Sequence, residues 1–483
     1  MSKDGPADSR VTPPVVVIGL GVLVALFVLA IDLQTLLVVL LFCSCLVPIG
    51  VAVYRGTFDL FEPIVFYSVF MFKIAVVIVD RLYLQEPSLA YPNVVSMNPS
   101  TAFLLVSALY LVFFAFVLVG YYLDVTRWVE VPTFYPPGVE HSVSLLRSVG
   151  LAYVAMGGVF YLLLIYTALD GNLLWLYTTT EPRNEIFGDS QLLLLGARML
   201  YVGYAVWLVS ILVGEKRVRA RHLLPAGAVA AAFVLLGNRS VALVIVLVVT
   251  ILLYYTFVYD IVGTRRHRIR FVRDRIHSCL KLSALPVAGV LLGAGTVVTR
   301  ALRQDRGLQG AVEDLHLVEL LTFGIHNRIP DNLLATIEVV PEEFGHYWGT
   351  LTLRVPLNYV PRSVWPEKPV LTTGAELRQV ILPDQSGGRP PGQIGEFYID
   401  GGYPAILLGA VLTGVVLRYV YELLGKNGRS PLFLLLYAFL LAGLVPEGLT
   451  NNGLWELSNH LLLFLPVVAL DWLARNGYLP GSD

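Results

Sequence analysis

The chain alternates between long apolar runs and shorter polar connections through most of its length. A helix needs about 20 residues to cross the hydrocarbon core of a bilayer, and runs near that length occur twelve times. They lie at 15–33, 36–53, 63–79, 102–122, 149–168, 192–213, 223–236, 241–258, 280–298, 403–424, 432–449 and 461–473. The pattern predicts an all-α, polytopic membrane helix bundle of about twelve transmembrane helices, of which the seventh and twelfth are short.

The first apolar run resembles the apolar region of a secretory signal, because it follows Lys3 and Arg10. It has no small-residue cleavage site, and a second apolar run begins within a few residues. We therefore expect the first run to remain uncleaved and to act as a transmembrane helix.

Composition agrees with lipid as the main solvent of this chain. Of its 483 residues, 56% are hydrophobic and only 14% are charged, whereas soluble domains keep charged residues near a quarter of the total. The formal net charge of −1 carries little information about partners, because the charges are segregated along the sequence.

Basic residues concentrate in alternate loops, which predicts the orientation of the bundle. One set of loops holds Arg55, Arg127, Arg147, Lys216, Arg217, Arg219, Arg221, Arg265, Arg266, Arg268, Arg270, Arg273, Arg275, Lys426, Arg429 and Arg475. The short loops of the other set hold only Arg81, Arg183 and Arg239. Because basic loops stay in the cytoplasm, we expect a multi-pass protein of the cytoplasmic membrane with both termini cytoplasmic.

One connection is far longer than the others. Residues 299–402 form a predicted outward segment of roughly a hundred residues, and loops of that length are functional or disordered. Its apolar residues recur at regular spacings and its prolines are clustered, so we interpret it as folded. The predicted organisation is therefore 1–298 for the first nine helices, 299–402 for an extracytoplasmic loop with the candidate site, and 403–483 for the last three helices.

The richest stretch of the outward segment combines rigid cations, aromatic rings and an acid. Prolines flank Lys368 and precede Arg362, which restricts the backbone beside both cations. Trp365 and Tyr398 offer flat faces suited to sugar rings. Glu396 lies at the predicted outer mouth of the tenth span, where partial burial favours a general base. The alternative is a helix N-terminal acid that complements the helix dipole.

Two further groups of arginines are candidates for binding an anion. Arg300 begins a series of arginines at every third position, which forms one cationic edge on a helix where the chain leaves the membrane. Arg239 lies in the outward turn Gly-Asn-Arg-Ser between two apolar runs. For both groups, a solvated or snorkelling side chain is the alternative. Arg198 lies within a span and could line an outward cavity.

Other catalytic motifs are missing from the sequence. His346 is a second candidate base, as is His326, but no pair of histidines has the spacing of metal ligands such as HExxH. There is also no Walker loop, no GxSxG motif and no DxD pair on a cytosolic domain. These absences disfavour a zinc site and an enzyme that uses nucleotide sugars.

The outward segment resembles a known family. The sequence NYVPRSVWPEKP at 358–369, preceded by YWGT and followed by IGEFYIDGGYPAILLGAVLTG, resembles the Wzy-type O-antigen polymerases, which join oligosaccharide repeat units. That family shows a P-R-x-x-W-P-x-K-P stretch and a G-E-x-Y element that leads into the next span. The similarity is specific over 347–414 and is limited elsewhere to the topology and the outward turn with Arg239.

The resemblance implies a GT-C-like helical fold and a metal-independent glycosyltransferase that needs no cofactor. Such an enzyme moves a growing glycan from a polyprenyl-(pyro)phosphate carrier onto the non-reducing end of a newly flipped repeat unit, on the outer face of the membrane. The implied partners are the lipid-linked oligosaccharide, membrane lipid, a flippase and a chain-length regulator, with no nucleic acid.

This reaction assigns expected roles to the candidate residues. The leaving phosphate needs cations, for which the candidates are Arg239, Arg362, Lys368 and Arg300. The acceptor hydroxyl needs a base, for which the candidates are Glu396 and then His346. The sugars need aromatic faces, for which the candidates are Trp365 and Tyr398.

Three other functions remain open from the sequence. A ligase that hands the finished glycan to another acceptor shares this architecture. A transporter or flippase for lipid-linked glycan would need a charged path across the bundle, which the chain largely lacks. A membrane scaffold would use the long segment to bind a partner and would tolerate conservative changes at Arg362 and Glu396.

Overall fold

The computed structural model describes most of the chain, namely residues 32–56, 58–84, 89–123, 128–135, 141–173, 186–187, 190–215, 218–259, 328–354, 356–360, 364–367, 373–383, 388–428, 430–447 and 453–478. Within these ranges, 80% of the residues are helical and none lies in a strand. The prediction of an all-helical fold is therefore confirmed for this part of the protein.

The described part of the chain contains fourteen α-helices. In chain order they are α1 (Leu33–Tyr54), α2 (Pro63–Val79), α3 (Pro99–Tyr122), α4 (Val143–Leu169), α5 (Gln191–Ala197), α6 (Met199–Glu215), α7 (Ala220–Leu235), α8 (Arg239–Tyr259), α9 (Ile329–Val339), α10 (Thr350–Arg354), α11 (Thr373–Ile381), α12 (Gly392–Asn427), α13 (Pro431–Ala442) and α14 (Gly453–Arg475). Turns of π-helix follow α2, α9 and α13, at Asp80–Leu84, Val340–Phe344 and Gly443–Glu447.

Seven helices among the described residues are long and apolar enough to cross a membrane. They are Leu33–Tyr54, Pro63–Tyr83, Pro99–Tyr122, Val143–Leu169, Gln191–Gly214, Gly392–Asn427 and Trp455–Arg475. Three shorter apolar helices accompany them, at Arg221–Leu235, Ser240–Thr256 and Pro431–Pro446. Each coincides with a predicted run, and together they indicate a multi-pass membrane protein. The predicted run 280–298 and nearly all of 15–33 lie outside the described residues.

Local sequence explains where several helices begin. The side chain of Asp32 accepts the backbone N–H of Thr35, and Asn98, Ser142 and Ser430 cap α3, α4 and α13 in the same way. Each supplies an acceptor for a backbone N–H that has no partner within the helix. The helices α2, α3 and α13 also have proline in their first turn, where its missing N–H costs nothing.

Glycines allow the longest helix to pack closely on α3. A Cβ added at Gly120 would collide with the backbone of Val411, and one added at Gly414 would collide with the backbone of Val117. Small residues at such crossings let two membrane helices approach until their backbones touch, which maximises van der Waals contact. The α3–α12 pair is therefore a closely packed part of the bundle.

The longest helix is interrupted where the predicted tenth span begins. Gly401 and Gly402 have non-helical backbone angles, and they divide α12 into a short limb, 392–400, and a long limb, 403–427. The Gln393 amide donates to the Thr413 hydroxyl at 3.0 Å, and the ring of Phe397 lies where a Cβ of Gly409 would be. The two limbs therefore run back along each other as a helical hairpin.

A second piece of the predicted outward segment is buried beside this hairpin. Every residue of α9 except Glu338 is buried, and a Cβ on Gly395 would touch Leu333 of α9. The outward segment thus contributes α9, α10, α11 and the short limb to the helical fold. Its extent as a separate unit, 299–402, stays a prediction.

Candidate functional site

The short limb presents two predicted site residues on different sides. Residues two positions apart on a helix point about 200° apart, which separates Glu396 from Tyr398. The Glu396 carboxylate accepts a hydrogen bond from the Thr373 hydroxyl of α11 at 3.3 Å. The Tyr398 hydroxyl donates to the backbone oxygen of Ile337 in α9 at 3.4 Å. The limb is therefore held between α9 and α11, with the acid facing α11.

His346 lies against the ring of Tyr398, so the structure brings these two predicted residues together. Their ring centroids are 5.6 Å apart, and a second edge-on contact joins His346 to Trp348 at 5.7 Å. A Cβ added at Gly402 would lie 3.4 Å from His346 Nε2. Within the described residues, the buried Nδ1 atom of His346 has no hydrogen-bond partner. An imidazole nitrogen is thus unused by the fold.

Backbone hydrogen bonds fix His346 and its neighbours to the end of the short limb. The Tyr347 and Trp348 N–H groups donate to the oxygens of Ile399 and Asp400, and the Gly349 N–H donates to the Asp400 carboxylate at 2.8 Å. Trp348 has a left-handed backbone (φ 51°), which is rare for a large residue, and its side chain is 77% exposed. An indole face is therefore held open to solvent beside the imidazole.

A network of side chains attaches the segment 346–349 to α11. The Tyr347 hydroxyl donates to one oxygen of Glu376 at 2.9 Å, and Arg354 donates to the other at 3.1 Å. The Arg354 guanidinium also lies 4.1 Å from the centre of the Tyr347 ring. Burial raises the pKa of Tyr347, and the Glu376 carboxylate raises it further. The network keeps Tyr347 as a neutral donor that joins three segments.

Three arginines from distant segments of the chain lie around the start of α9. Arg81 lies 3.5 Å from the buried carboxylate of Asp331, which also accepts the Ala90 N–H at 3.4 Å. Burial raises the pKa of Asp331, while the charges of Arg81 and then Arg328 oppose that rise. Asp331 is thus a buried acid with two cations nearby.

Tyr91 lies close to two arginines of this region, Arg389 and Arg328. Its hydroxyl donates to the Asn332 side chain at 2.7 Å, and the Asn332 amide donates to the Pro390 oxygen at 2.8 Å. Burial raises the pKa of Tyr91, and the charges of Arg389 and Arg328 oppose that rise. We call Arg81, Arg328 and Arg389 the arginine cluster.

The arginine cluster brings cations from three segments together and is joined to Glu396 through the start of α11. Arg81 and Arg328 lie near the Asp331 carboxylate, Arg389 lies near Tyr91, and guanidinium groups bind phosphate through paired hydrogen bonds. The Arg389 N–H donates to the oxygen of Gly374 at 2.7 Å, and the preceding residue, Thr373, is the one that donates to Glu396. The cluster and the acid are therefore connected through two adjacent residues at the start of α11.

The arginine cluster was not singled out by the sequence, although its members are visible there. Arg81 is a lone basic residue in a predicted outer loop, and it lies in the π-helical turn after α2. Turns of this kind often accompany functional sites. Arg328 and Arg389 are two basic residues of the outward segment that no motif distinguishes. Only the fold brings the three together.

The predicted phosphate ligands fall outside what the structure describes. Arg239 is the first residue of α8, but its side chain is not described, and Arg300, Arg362 and Lys368 lie outside the described ranges. Their roles remain predictions. Trp365 is half-buried in the short stretch 364–367, and among the described residues no ring contact joins it to His346 or Tyr398.

Two alternatives from the sequence can now be compared with the geometry. Glu396 lies beyond the first turn of α12, and its carboxylate accepts from Thr373. The interpretation as an acid that complements the dipole of its own helix therefore does not fit. Arg198, a candidate to line an outward cavity, lines a narrow cavity and forms an ion pair with Glu456; the outward position stays a prediction.

Within the described ranges, no three His, Cys, Asp or Glu side chains are grouped as ligands for a metal ion. The site instead combines an anion-binding cluster, a carboxylate held by a hydroxyl, and an imidazole among aromatic rings. No protein-family model matches the sequence, and comparisons with curated proteins and with solved structures find no match. The functional argument therefore rests on the residues themselves.

Proposed function

We propose that this protein is a membrane glycosyltransferase that polymerises lipid-linked oligosaccharide repeat units on the outer face of the cytoplasmic membrane. The observation that carries the proposal is the arginine cluster, whose guanidinium groups come together beside the segment that holds Glu396. A donor with a phosphate leaving group and an acceptor hydroxyl need a cationic site and a base side by side.

The proposed reaction is a substitution at the anomeric carbon of the donor glycan. The acceptor hydroxyl oxygen forms a bond to that carbon, and the bond from the carbon to the carrier phosphate breaks. The hydroxyl proton passes to the Glu396 carboxylate, and the electron pair of the broken bond leaves with the phosphate. The arginine cluster stabilises the negative charge that develops there, together with Arg239, Arg300, Arg362 and Lys368 as predicted from the sequence.

Aromatic groups near the hairpin suit the glycan part of the substrate. Trp348 and Tyr403 are exposed at the turn between the limbs, next to Tyr398 and His346. Flat aromatic faces provide large contact areas with a polar edge, which matches sugar rings. His346 serves as the second candidate for the base, and Trp365 as a further candidate sugar contact.

The proposal includes the setting of the enzyme. About twelve transmembrane helices in a GT-C-like arrangement place both termini in the cytoplasm and the hairpin outside. The donor and acceptor are carried on polyprenyl-(pyro)phosphate, which a flippase supplies, and a chain-length regulator is an expected partner. A ligase that passes the finished glycan to another acceptor would use the same groups.

A transporter for lipid-linked glycan is a second candidate, because one observation favours it. The α12 helix is broken at Gly401 and Gly402, and interrupted membrane helices often surround the binding sites of transporters. This candidate does not need Glu396 as a base. The two functions therefore differ in what accumulates when the protein is lost.

Profiling of lipid-linked glycans in a deletion strain tests these functions directly. A polymerase predicts loss of long chains while single repeat units remain on the carrier outside. A ligase predicts long chains that accumulate on the carrier, and a flippase predicts units trapped inside. Unchanged chains of normal length would refute all three.

Labelling of single cysteines tests the orientation. In a variant without native cysteines, Trp348→Cys should react with an impermeant thiol reagent in intact cells. Trp128→Cys should react only after the membrane is opened, although both positions are similarly exposed at 77% and 76%. The reverse pattern would move the candidate site to the cytoplasm and overturn the proposal.

A further inference from the structure

A second polar site lies in another part of the bundle, between α5 and the start of α14. A narrow cavity opens there, and it is lined by Gln191, Leu192, Leu194, Leu195, Arg198, Trp455 and Asn459. It has room for about one water-sized group, such as a hydroxyl or a hydroxymethyl. None of these residues belongs to the hairpin, to α9 or to the arginine cluster.

A buried ion pair adjoins the cavity, and Arg198 is the member of the pair that lines it. Arg198 donates two hydrogen bonds to the Glu456 carboxylate, at 2.7 and 3.1 Å, in a fork-to-fork arrangement. The side chains are only 7% and 10% exposed, and both lie within or beside helices long enough to cross a membrane. Removing two ions from water is expensive, and such groups inside a membrane protein usually mark a functional site.

The polar surroundings of the ion pair indicate the class of ligand. A paired arginine and glutamate are electrically neutral together, so they do not select an anion, unlike the arginine cluster. Arg198 presents its guanidinium at the cavity wall, which suits hydroxyl groups, because a hydroxyl both donates and accepts. The amides of Gln191 and Asn459 add the same dual character, and the Trp455 indole adds an apolar face.

A further buried polar atom lies one turn along α14 from Glu456. The ring of His460 is stacked on Phe439 at 5.4 Å and meets Tyr201 edge-on at 5.9 Å. Within the described part of the chain, its buried Nδ1 atom has no hydrogen-bond partner. Buried polar atoms without partners are rare and call for an explanation beyond packing. Polar groups thus extend behind the ion pair into the bundle.

We infer that this cavity binds hydroxyl groups of a saccharide, as a second glycan contact separate from the reacting centre. The inference rests on the proposed function, since it supplies a place for another part of the same glycan. The competing interpretations are a purely structural ion pair and a site for the glycerol headgroup of a membrane lipid.

Glycan binding to the purified full-length protein tests the inference. The probe is the oligosaccharide released by mild acid from the carrier of the same strain, and binding is measured by calorimetry in phosphatidylcholine nanodiscs. Trp455→Leu should weaken binding about 10-fold, which corresponds to about 1.4 kcal/mol. The matched control is Trp472→Leu, a half-exposed tryptophan farther along α14, which should bind as wild type. Equal affinities for both variants would overturn the inference.

A double variant separates binding from structural support. Replacing a buried ion pair with apolar residues of similar size is often neutral for stability. Arg198→Met combined with Glu456→Leu should therefore remain folded, judged by thermal unfolding, and should lose glycan affinity by 10-fold or more. Wild-type affinity in a folded double variant would leave the ion pair with a structural role only.

Two further measurements distinguish this inference from its rivals. Nanodiscs that contain phosphatidylglycerol should give the same glycan affinity as nanodiscs of phosphatidylcholine. If phosphatidylglycerol instead weakens glycan binding to the wild type, and Trp455→Leu removes this competition, the cavity is a lipid site. Glu396→Gln should abolish polymer while retaining glycan binding at the cavity. If the deletion strain loses polymer but Trp455→Leu binds glycan as the wild type does, the inference about the cavity is wrong. The proposed function would then still stand.

Discussion

Two ends of the long limb of α12 use polar residues in opposite ways. At its last residue, Asn427, the side-chain oxygen accepts the Phe134 and Tyr135 N–H groups at 2.7 and 2.9 Å, and the amide donates to the oxygen of Pro132. Lys426 donates to the oxygen of Val131 at 3.0 Å. We call this end the clamp. Here the side chains of Asn427 and Lys426 form hydrogen bonds with backbone groups, so they fix the connecting segment 131–135.

A neighbouring set of side chains extends the clamp. His141 is placed between Asp471 and Ser430, at 2.9 and 2.8 Å from its two ring nitrogens, and Arg475 pairs with the same Asp471 at 2.9 Å. Ser430 also caps α13. The arrangement joins three parts of the chain and uses both nitrogens of the imidazole.

The hairpin end differs in its clustered cations and in its backbone, whereas a buried polar atom without a hydrogen-bond partner occurs at both ends, since the Tyr135 hydroxyl is one at the clamp. His346 has a buried ring nitrogen without a partner among the described residues, and the arginine cluster brings cations from three segments together. The backbone there is broken or strained at Gly402 and Trp348. Polar groups that are consumed by the fold indicate support, whereas clustered cations beside a strained backbone indicate binding. The comparison predicts that variants at the two ends fail in different ways.

The largest expected effect is on turnover at the hairpin end. Glu396→Gln keeps an acceptor for Thr373 and so should fold normally, but it removes the proposed base. Polymer formation should fall about 10²- to 10⁴-fold at matched protein level, measured from glycan length distributions.

The control is the same substitution at the far end of α12. Glu422 pairs with Arg418 on the helix surface, and such pairs contribute only a few tenths of a kcal/mol. Glu422→Gln should therefore leave polymer formation unchanged. Normal polymer from Glu396→Gln would remove this residue from the chemistry and pass the role of base to His346.

The next effect concerns charge in the arginine cluster. Arg389→Gln removes one guanidinium, and loss of a single group that stabilises developing charge costs about 10²-fold in rate. The measurement is turnover of lipid-linked glycan by the purified enzyme, with Arg147→Gln as the control at an exposed position in α4. If both variants lose activity equally, the cluster has no special part in the reaction.

A smaller effect, on stability alone, is expected at the clamp. Asn427→Leu leaves the buried Tyr135 N–H without its partner, and it also removes the partner of the half-buried Phe134 N–H and of the Pro132 oxygen; each buried unsatisfied group costs about 1–3 kcal/mol. Thermal unfolding should occur at a lower temperature and the amount in the membrane should fall, while activity per molecule stays normal. Asn476→Leu, at an exposed helix end, should change neither. Selective loss of activity in Asn427→Leu would contradict the division between the two ends.

The smallest effect is expected at the hairpin turn. Gly402 has φ +69°, a conformation that costs residues with a Cβ about 1–2 kcal/mol, and an added methyl would lie against His346. Gly402→Ala should lower the unfolding temperature slightly. Gly425→Ala, in the same helix with open space around it, should be neutral or stabilising. A destabilised Gly425→Ala beside a normal Gly402→Ala would argue against the described turn.

The sequence predicted the membrane helices better than the site. Apolar runs mark α2 and α3 because lipid demands continuous hydrophobic residues. The same rule does not detect α9 or the short limb, because both are short and contain polar residues such as Asp331, Asn332 and Gln393. Glu396, Tyr398 and His346 lie near a recognisable motif and could be named, but the partnership of His346 with Tyr398 could not.

The arginine cluster shows why the rest of the candidate site could not be predicted from the sequence. Its members come from a turn after α2, the start of α9 and the segment before α12. No local pattern connects such positions, because their meeting depends on how whole helices pack. Arg198 illustrates the same limit, since the sequence flagged it as costly in lipid and could not name Glu456 as its partner.

The length of the short limb has a consequence for how the protein is made. At about 1.5 Å per residue, 392–400 covers less than half of a bilayer, so it cannot be inserted as a membrane helix in its own right. It reaches its place only by folding back along the long limb, onto surfaces that α3 and α9 provide. Assembly of the candidate site is therefore a late event in biogenesis, completed after the surrounding helices are already in the membrane.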